Sequence, residues 1–188
     1  MLELQGRPAL SAFRIAKLCS RLQALEPRIQ AVRSLYVHFI DTAPLTAEQQ
    51  ALLETLLTYG PAAQPQAGNG ALPTQSLLVV PRAGTISPWS SKATDIAQVC
   101  GLASVRRIER AIRYDLTVSQ RLDDAALRRL AAGLFDRMTE MVVGNAGEAE
   151  RLFAHHAPNG VRTIALAAGR PALEAANVQL GLALAPDE

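Results

Sequence analysis

Aromatic side chains are scarce: Phe, Tyr and Trp make up 4% of the 188 residues, with one Trp, three Tyr and four Phe. A core must then be built mainly from aliphatic residues, and a single-strand nucleic-acid platform of interleaved rings and cations is not expected. Lysine is nearly absent. Only Lys17 and Lys92 accompany 17 arginines, and alanine occurs 33 times, a bias that reads as codon preference more than function. Neither charge sign dominates, since 19 bases face 17 acids for a net +2, so there is no electrostatic footprint for nucleic acid or an anionic membrane. Cys19 and Cys100 are the only cysteines, which excludes a disulfide scaffold and a CxxC metal or redox site. Apolar runs are short; the most apolar, residues 164–168, is far from the 18 or so needed to span a bilayer. The start, Met-Leu-Glu-Leu-Gln-Gly, lacks a basic stretch followed by an apolar one, so no signal peptide is expected. These absences lead to the expectation of a soluble, cytoplasmic protein.

What is present is a folding pattern. Hydrophobic residues reach 49% against 19% charged, enough for one compact domain with a small appendage. Ser11 followed by Ile15, Leu18, Cys19, Leu22 and Leu25 predicts a capped amphipathic helix that stops before Pro27. Residues 34–40, SLYVHFI, read as a strand. Thr46 and Gln49 have capping-box spacing ahead of Leu52, Leu53, Leu56 and Leu57, with Gly60-Pro61 as the stop. Residues 61–74 read as an exposed Pro/Gly/Ala-rich loop. A strand over 76–81 and a turn at 84–89 then lead into a helix from about Ser90 to Cys100. The next strand places Ile108, Ile112, Tyr114, Leu116 and Val118 on one face, and Arg107, Glu109, Arg113, Asp115 and Thr117 on the other. Asp123-Asp124 are expected to cap a long helix with Leu127, Leu130, Leu134, Met138 and Met141 along one side, and 146–156 one more helix. With a short strand at 2–4, the order is β–α–β–α twice. The expectation is an α+β fold of two pseudo-repeated halves, with helices packed on one face of the sheet, although no sequence self-similarity accompanies the repeat. Residues 1–144 read as the domain. Residues 145–188 read as the truncated start of a linker, too small to bury a core of its own.

The segment with most chemical content is 81–97, which follows a buried strand and opens a helix, so first-turn amides suit an anion or a partner carboxylate. Gly84 permits an unusual turn and Trp89 supplies contact area. Thr85, Ser87, Ser90, Ser91 and Thr94 offer hydroxyls, Arg82 and Lys92 offer positive charge, and Asp95 closes the polar set. The bland alternative makes Ser90 or Ser91 an ordinary cap, Trp89 core and Lys92 solvated surface. Elsewhere Cys19 reads as core, and Cys100 has no sequence-adjacent partner that would make it a nucleophile. His38 reads as packed or hydrogen-bonded. His155 and His156 point about 100° apart on a helix and cannot chelate as an i, i+4 pair would. Arg106, Arg107, Arg110 and Arg113 read as a solvated strand face with Glu109 and Asp115 as local partners, rather than a phosphate track. Arg110, on the apolar side, needs a carboxylate or a ligand. No catalytic or metal constellation is expected.

The run GTISPWSSKATDIA at 84–97, with PALSAFR at 8–14, YVHF at 36–39, LFAHH at 152–156 and GR…AL…AN…LGLAL over 169–185, resembles the start of the large single-chain phosphoribosylformylglycinamidine synthase. The resemblance implies an N-terminal scaffold, similar to a fused dimer of the small subunit of multi-subunit versions. It would bridge glutaminase and synthetase domains of the same polypeptide and support ammonia transfer. It implies ATP and magnesium for the parent ligase, which makes formylglycinamidine ribonucleotide in purine biosynthesis, but no cofactor and no catalysis for this chain. Residues 82–95 are then the candidate interface or active-site wall, and self-association through an uncovered surface is expected. The competing reading is a free-standing ferredoxin-like interaction or ligand-sensing module.

Overall fold

A computed structural model describes residues 1–60, 72–154, 160–165, 167 and 169–185. Most of the expected 61–74 loop and the pair His155-His156 lie outside the described residues. The chain divides into two units, 1–155 and 156–188.

The first unit opens with β1 (Leu2–Pro8), α1 (Ala12–Leu25), β2 (Ile29–Thr42) and α2 (Ala47–Leu56), then continues with β3 (Thr74–Pro81), α3 (Pro88–Val99), β4 (Val105–Val118) and α4 (Asp124–Ala131). The caps follow from the sequence. The Ser11 hydroxyl accepts from the Arg14 amide, and Thr46 and Gln49 close a capping box on α2. One five-stranded sheet runs in the order β1-β2-β4-β3-β5, β5 being Glu140–Val143, and every pairing is antiparallel.

The long β2 and β4 form the centre of the sheet, with Val37 opposite Ala111. Alternation along this pair sends Val32, Tyr36, His38 and Ile40 to one face together with Ile108, Arg110, Ile112, Tyr114 and Leu116. At one end of that face, Leu18 and Leu22 of α1 and Ala126 and Leu130 of α4 pack on Val32, Tyr114 and Leu116. At the other end, Leu53 and Leu57 of the α2 segment and Ala97 of α3 pack on Ile40 and Ile108. The four helices therefore share one sheet face, as expected. The opposite face buries Val37, Phe39, Ala111, Leu78, Val80 and Val143 beneath Ala149 and Leu152 of a 3-10 helix over Ala146–Phe153.

Three expectations need correction. The helix from Asp123 does not reach Met141. It ends at Ala131, and Asp136 then organises a turn, its carboxylate accepting from the Met138 amide at 2.8 Å and its carbonyl from the Glu140 amide at 2.8 Å. The chain emerges as β5, which pairs Val143 with Leu78 and covers the outer edge of β3; β-branched Val142 and Val143 suit a strand that protects an otherwise open edge. The segment after Gly144 is a 3-10 helix rather than an α-helix. Glu109, placed by alternation on a solvated face, is fully buried, because the second face of β4 is also covered.

The second unit contains α5 (Arg170–Leu180), which ends at Gly181; there Asn177 exchanges side-chain hydrogen bonds with the backbone of Leu184.

Candidate functional site

The pairing of β3 with β4 ends at Val79 opposite Ile112, while its pairing with β5, begun at Leu78, continues to Pro81, and the 82–87 loop follows. The turn needs Gly84, whose φ of +83° lies where side-chain-bearing residues are strained, while a Cβ there would meet nothing within 4 Å. The Arg82 carbonyl accepts from the Thr85 hydroxyl at 2.7 Å. Helix α3 begins earlier than the sequence reading placed it. Its cap is Ser87, whose hydroxyl accepts from the Ser90 amide at 3.0 Å, with Pro88 in the first turn. Ser90 is therefore not the cap. Its side chain is fully buried and its hydroxyl has no partner. Thr94 stitches α3 to the sheet, since its hydroxyl accepts from the Ile108 amide at 3.0 Å, a donor that β3 no longer reaches. Arg82, Gly84, Thr85, Ser91, Lys92 and Asp95 are exposed, and Ser87, Trp89 and Thr94 half-buried.

A negative charge does sit beside the start of α3, and it comes from this chain. Glu109 of β4 accepts from the Ser87 hydroxyl at 3.4 Å and from Arg107 Nε at 2.9 Å. Arg107 also donates to the Thr85 carbonyl at 2.7 Å and lies over the Phe153 ring. Ion pair, motif loop and 3-10 helix are thereby joined.

A second cluster surrounds Arg110. His38 of β2 stands directly opposite Arg110 in the ladder. The guanidinium carbon lies 4.5 Å from the centre of the Trp89 ring and 4.6 Å from that of Tyr36. Tyr59, just past α2, accepts from Arg110 Nη1 at 3.3 Å, and its oxygen is 2.8 Å from His38 Nε2. The Tyr59 oxygen accepts from Arg110, and the direction of its hydrogen bond with His38 Nε2 is set by the imidazole tautomer. Burial, and then the charge of Arg110, pushes the His38 pKa down to about 4, so the ring is neutral at physiological pH. His38 also stacks on Trp89 at 5.7 Å between centres. Gly6 allows this packing, because a Cβ there would come within 2.8 Å of His38 Cε1. The partner sequence reasoning sought for Arg110, a carboxylate or a ligand, is thus replaced within the described residues by ring faces and a phenol.

On the other side of Trp89, a cleft of about 160 Å³ opens between α2 and α3, lined by Leu56, Tyr59, Trp89, Lys92, Ala93 and Ile96. The outer surface of α3 continues it with Ile96, 48% exposed, and Val99, 88% exposed.

A family model described as the formylglycinamide ribonucleotide amidotransferase N-terminal domain matches residues 35–153. The chain belongs to that family. Its membership ties the chain to an enzyme of purine biosynthesis, and the matched span runs from within β2 to the end of the 3-10 helix. The whole 82–97 motif, the Glu109–Arg107 pair and the Arg110 cluster are therefore family territory rather than additions to it. Among the described residues, no group of three or more His, Cys, Asp or Glu side chains converges as metal ligands would, and no helix is long and apolar enough to cross a membrane.

Sequence reasoning named Trp89, His38 and Arg110 separately and passed over Tyr36 and Tyr59. The signal that unites them is the scarcity of aromatics. Of eight Phe, Tyr and Trp residues, three surround one guanidinium. Cys19 packs against the core, its thiol pKa raised by burial.

Proposed function

We propose that this chain is the scaffold and interface part of a phosphoribosylformylglycinamidine synthase. It would bridge the glutaminase and synthetase domains, support passage of ammonia between them, and catalyse nothing alone. The carrying observation is the family match over a span in which the outer side of α3 exposes Ile96 and Val99. ATP and magnesium would serve the synthetase, not this chain, and the cytoplasm would be its compartment. The exposed motif residues Arg82, Thr85, Ser91, Lys92 and Asp95, flanked by Ile96 and Val99, form the proposed contact surface; an apolar surface rimmed by polar side chains is typical of such contacts.

A fused-dimer origin is supported by the order of elements. Interchanging β1 with β3 and β2 with β4 leaves the order β1-β2-β4-β3 unchanged in reverse, and a helix follows each of these strands. Residues 145–188 are proposed to begin the linker. The open α3 surface is also where the isolated chain would self-associate.

The test is direct binding. The chain, mixed with separately produced glutaminase–synthetase remainder of the enzyme, should sediment as a complex. Ile96→Glu with Val99→Glu should abolish the complex while leaving the fold intact. Equal binding by the variant would refute α3 as the contact, and no binding by the wild type would refute the scaffold reading.

A further inference from the structure

Arg110 is unlike its neighbours. Arg106 pairs with Asp41, Arg107 with Glu109, and Arg113 with Asp115, while Arg28 pairs with Glu26 and Arg33 with Asp115. No described carboxylate pairs with Arg110, and residues 61–71, which follow its Tyr59 partner in sequence, contain no acid. The guanidinium is half-buried on the helix-bearing face, between the rings of Trp89 and Tyr36. One of its five N–H groups donates to Tyr59, and among the described residues no other hydrogen bond holds it.

Stacking on two rings fixes the plane of a guanidinium without consuming its edge. Such a fixed, partly desolvated fork matches two coplanar oxygens and forms the stronger, charge-assisted kind of hydrogen bond. The local charge then selects among anions. His38 is neutral and the guanidinium carries one positive charge, so one negative charge balances it; Lys92 lines the adjoining cleft with Trp89 and Tyr59. We propose that Arg110, walled by Trp89 and Tyr36, is a receptor for a single carboxylate. The source is either an acidic side chain of a docking protein segment or a free carboxylate. This site stands on its own residues, whatever the scaffold role of α3.

Trp89 is the only tryptophan and reports the site directly. Sodium acetate is titrated into the 188-residue chain at constant ionic strength with chloride as the balancing salt, and Trp89 emission is followed. The expected result is a saturable change with half-saturation of roughly 1–50 mM, the range for two charge-assisted hydrogen bonds to one exposed anion. The change should be lost in Arg110→Gln and weakened at least about fivefold in Arg110→Lys, which keeps the charge and loses the fork. As a readout independent of folding in the variants, the Arg110 Nε–Hε resonance of the wild type should shift with acetate. Competition by acetate against binding of the enzyme's remainder identifies an acidic side chain as the source; saturable acetate binding without competition identifies a free carboxylate. A response equal to that of chloride, an unshifted Nε–Hε resonance, or tighter binding of inorganic phosphate than of acetate overturns the proposal.

Discussion

The Glu109 carboxylate, with no solvent exposure, is held by Arg107 two residues along the same strand, Nε to Oε1 at 2.9 Å. A buried pair of this kind contributes little net stability relative to a well-packed apolar pair, yet breaking it leaves an uncompensated charge. Arg107→Ala should therefore cost about 3–5 kcal/mol in denaturant unfolding, whereas Arg107→Met combined with Glu109→Leu should recover most of that loss. A single substitution costing under about 1 kcal/mol would contradict this account of the buried pair.

Trp89→Ala removes a half-buried ring that covers His38 and Arg110. The loss should be about 2 kcal/mol, below the 3–5 typical of a fully buried aromatic, because one side of the ring borders the open cleft. Paired melting curves of wild type and variant check this. A change within about 0.5 kcal/mol would place Trp89 wholly in the contact surface.

His38 gives stability a defined pH dependence. Its folded pKa of about 4 lies below the unfolded 6.5, so between these values the unfolded chain binds more protons. Stability from this group is complete above pH 6.5 and is lost as pH falls through 4, by up to about 3 kcal/mol. Glu26, whose carboxyl is held down to about 2 chiefly by its hydrogen bonds to Arg28, loses its contribution only below pH 4.5. The window from 6.5 to 4.5 thus separates His38 from Glu26. Unfolding midpoints across that window should slope for the wild type and flatten for His38→Gln.

Gly6→Ala would drive a Cβ to 2.8 Å from His38 Cε1 and 3.0 Å from Tyr36 Cβ. It should destabilise by about 1–3 kcal/mol, as overpacking does, and it should blue- or red-shift Trp89 emission by displacing the His38 ring. Unchanged emission with full stability would mean that β1 moves freely away.

The periodic parts of the fold were legible in the sequence. The α1 stripe, both caps at Ser11 and Thr46, and the hydrophobic side of β4 depend on local spacing alone. What escaped depended on tertiary neighbours. The strand β5 looked helical because Leu127, Leu130, Leu134, Met138 and Met141 keep a helical period, but the open edge of β3 and the Asp136 turn decided otherwise. Glu109 looked solvated because alternation does not show that a 3-10 helix covers the second face. At the site, the sequence located the 82–97 turn and flagged Arg110 as needing a partner. It could not show that the ring partners come from residues 36, 59 and 89, which long stretches of chain separate.

The scaffold claim is tested most directly by reconstituting glutamine-dependent amidation of formylglycinamide ribonucleotide from two purified parts, this chain and the glutaminase–synthetase remainder. The chain alone should show no glutaminase or ATPase turnover, the mixed parts should form product in a coupled reaction, and Ile96→Glu with Val99→Glu should lose the coupling. Full glutamine-dependent activity of the remainder without this chain, or turnover by the chain alone, would contradict the scaffold claim.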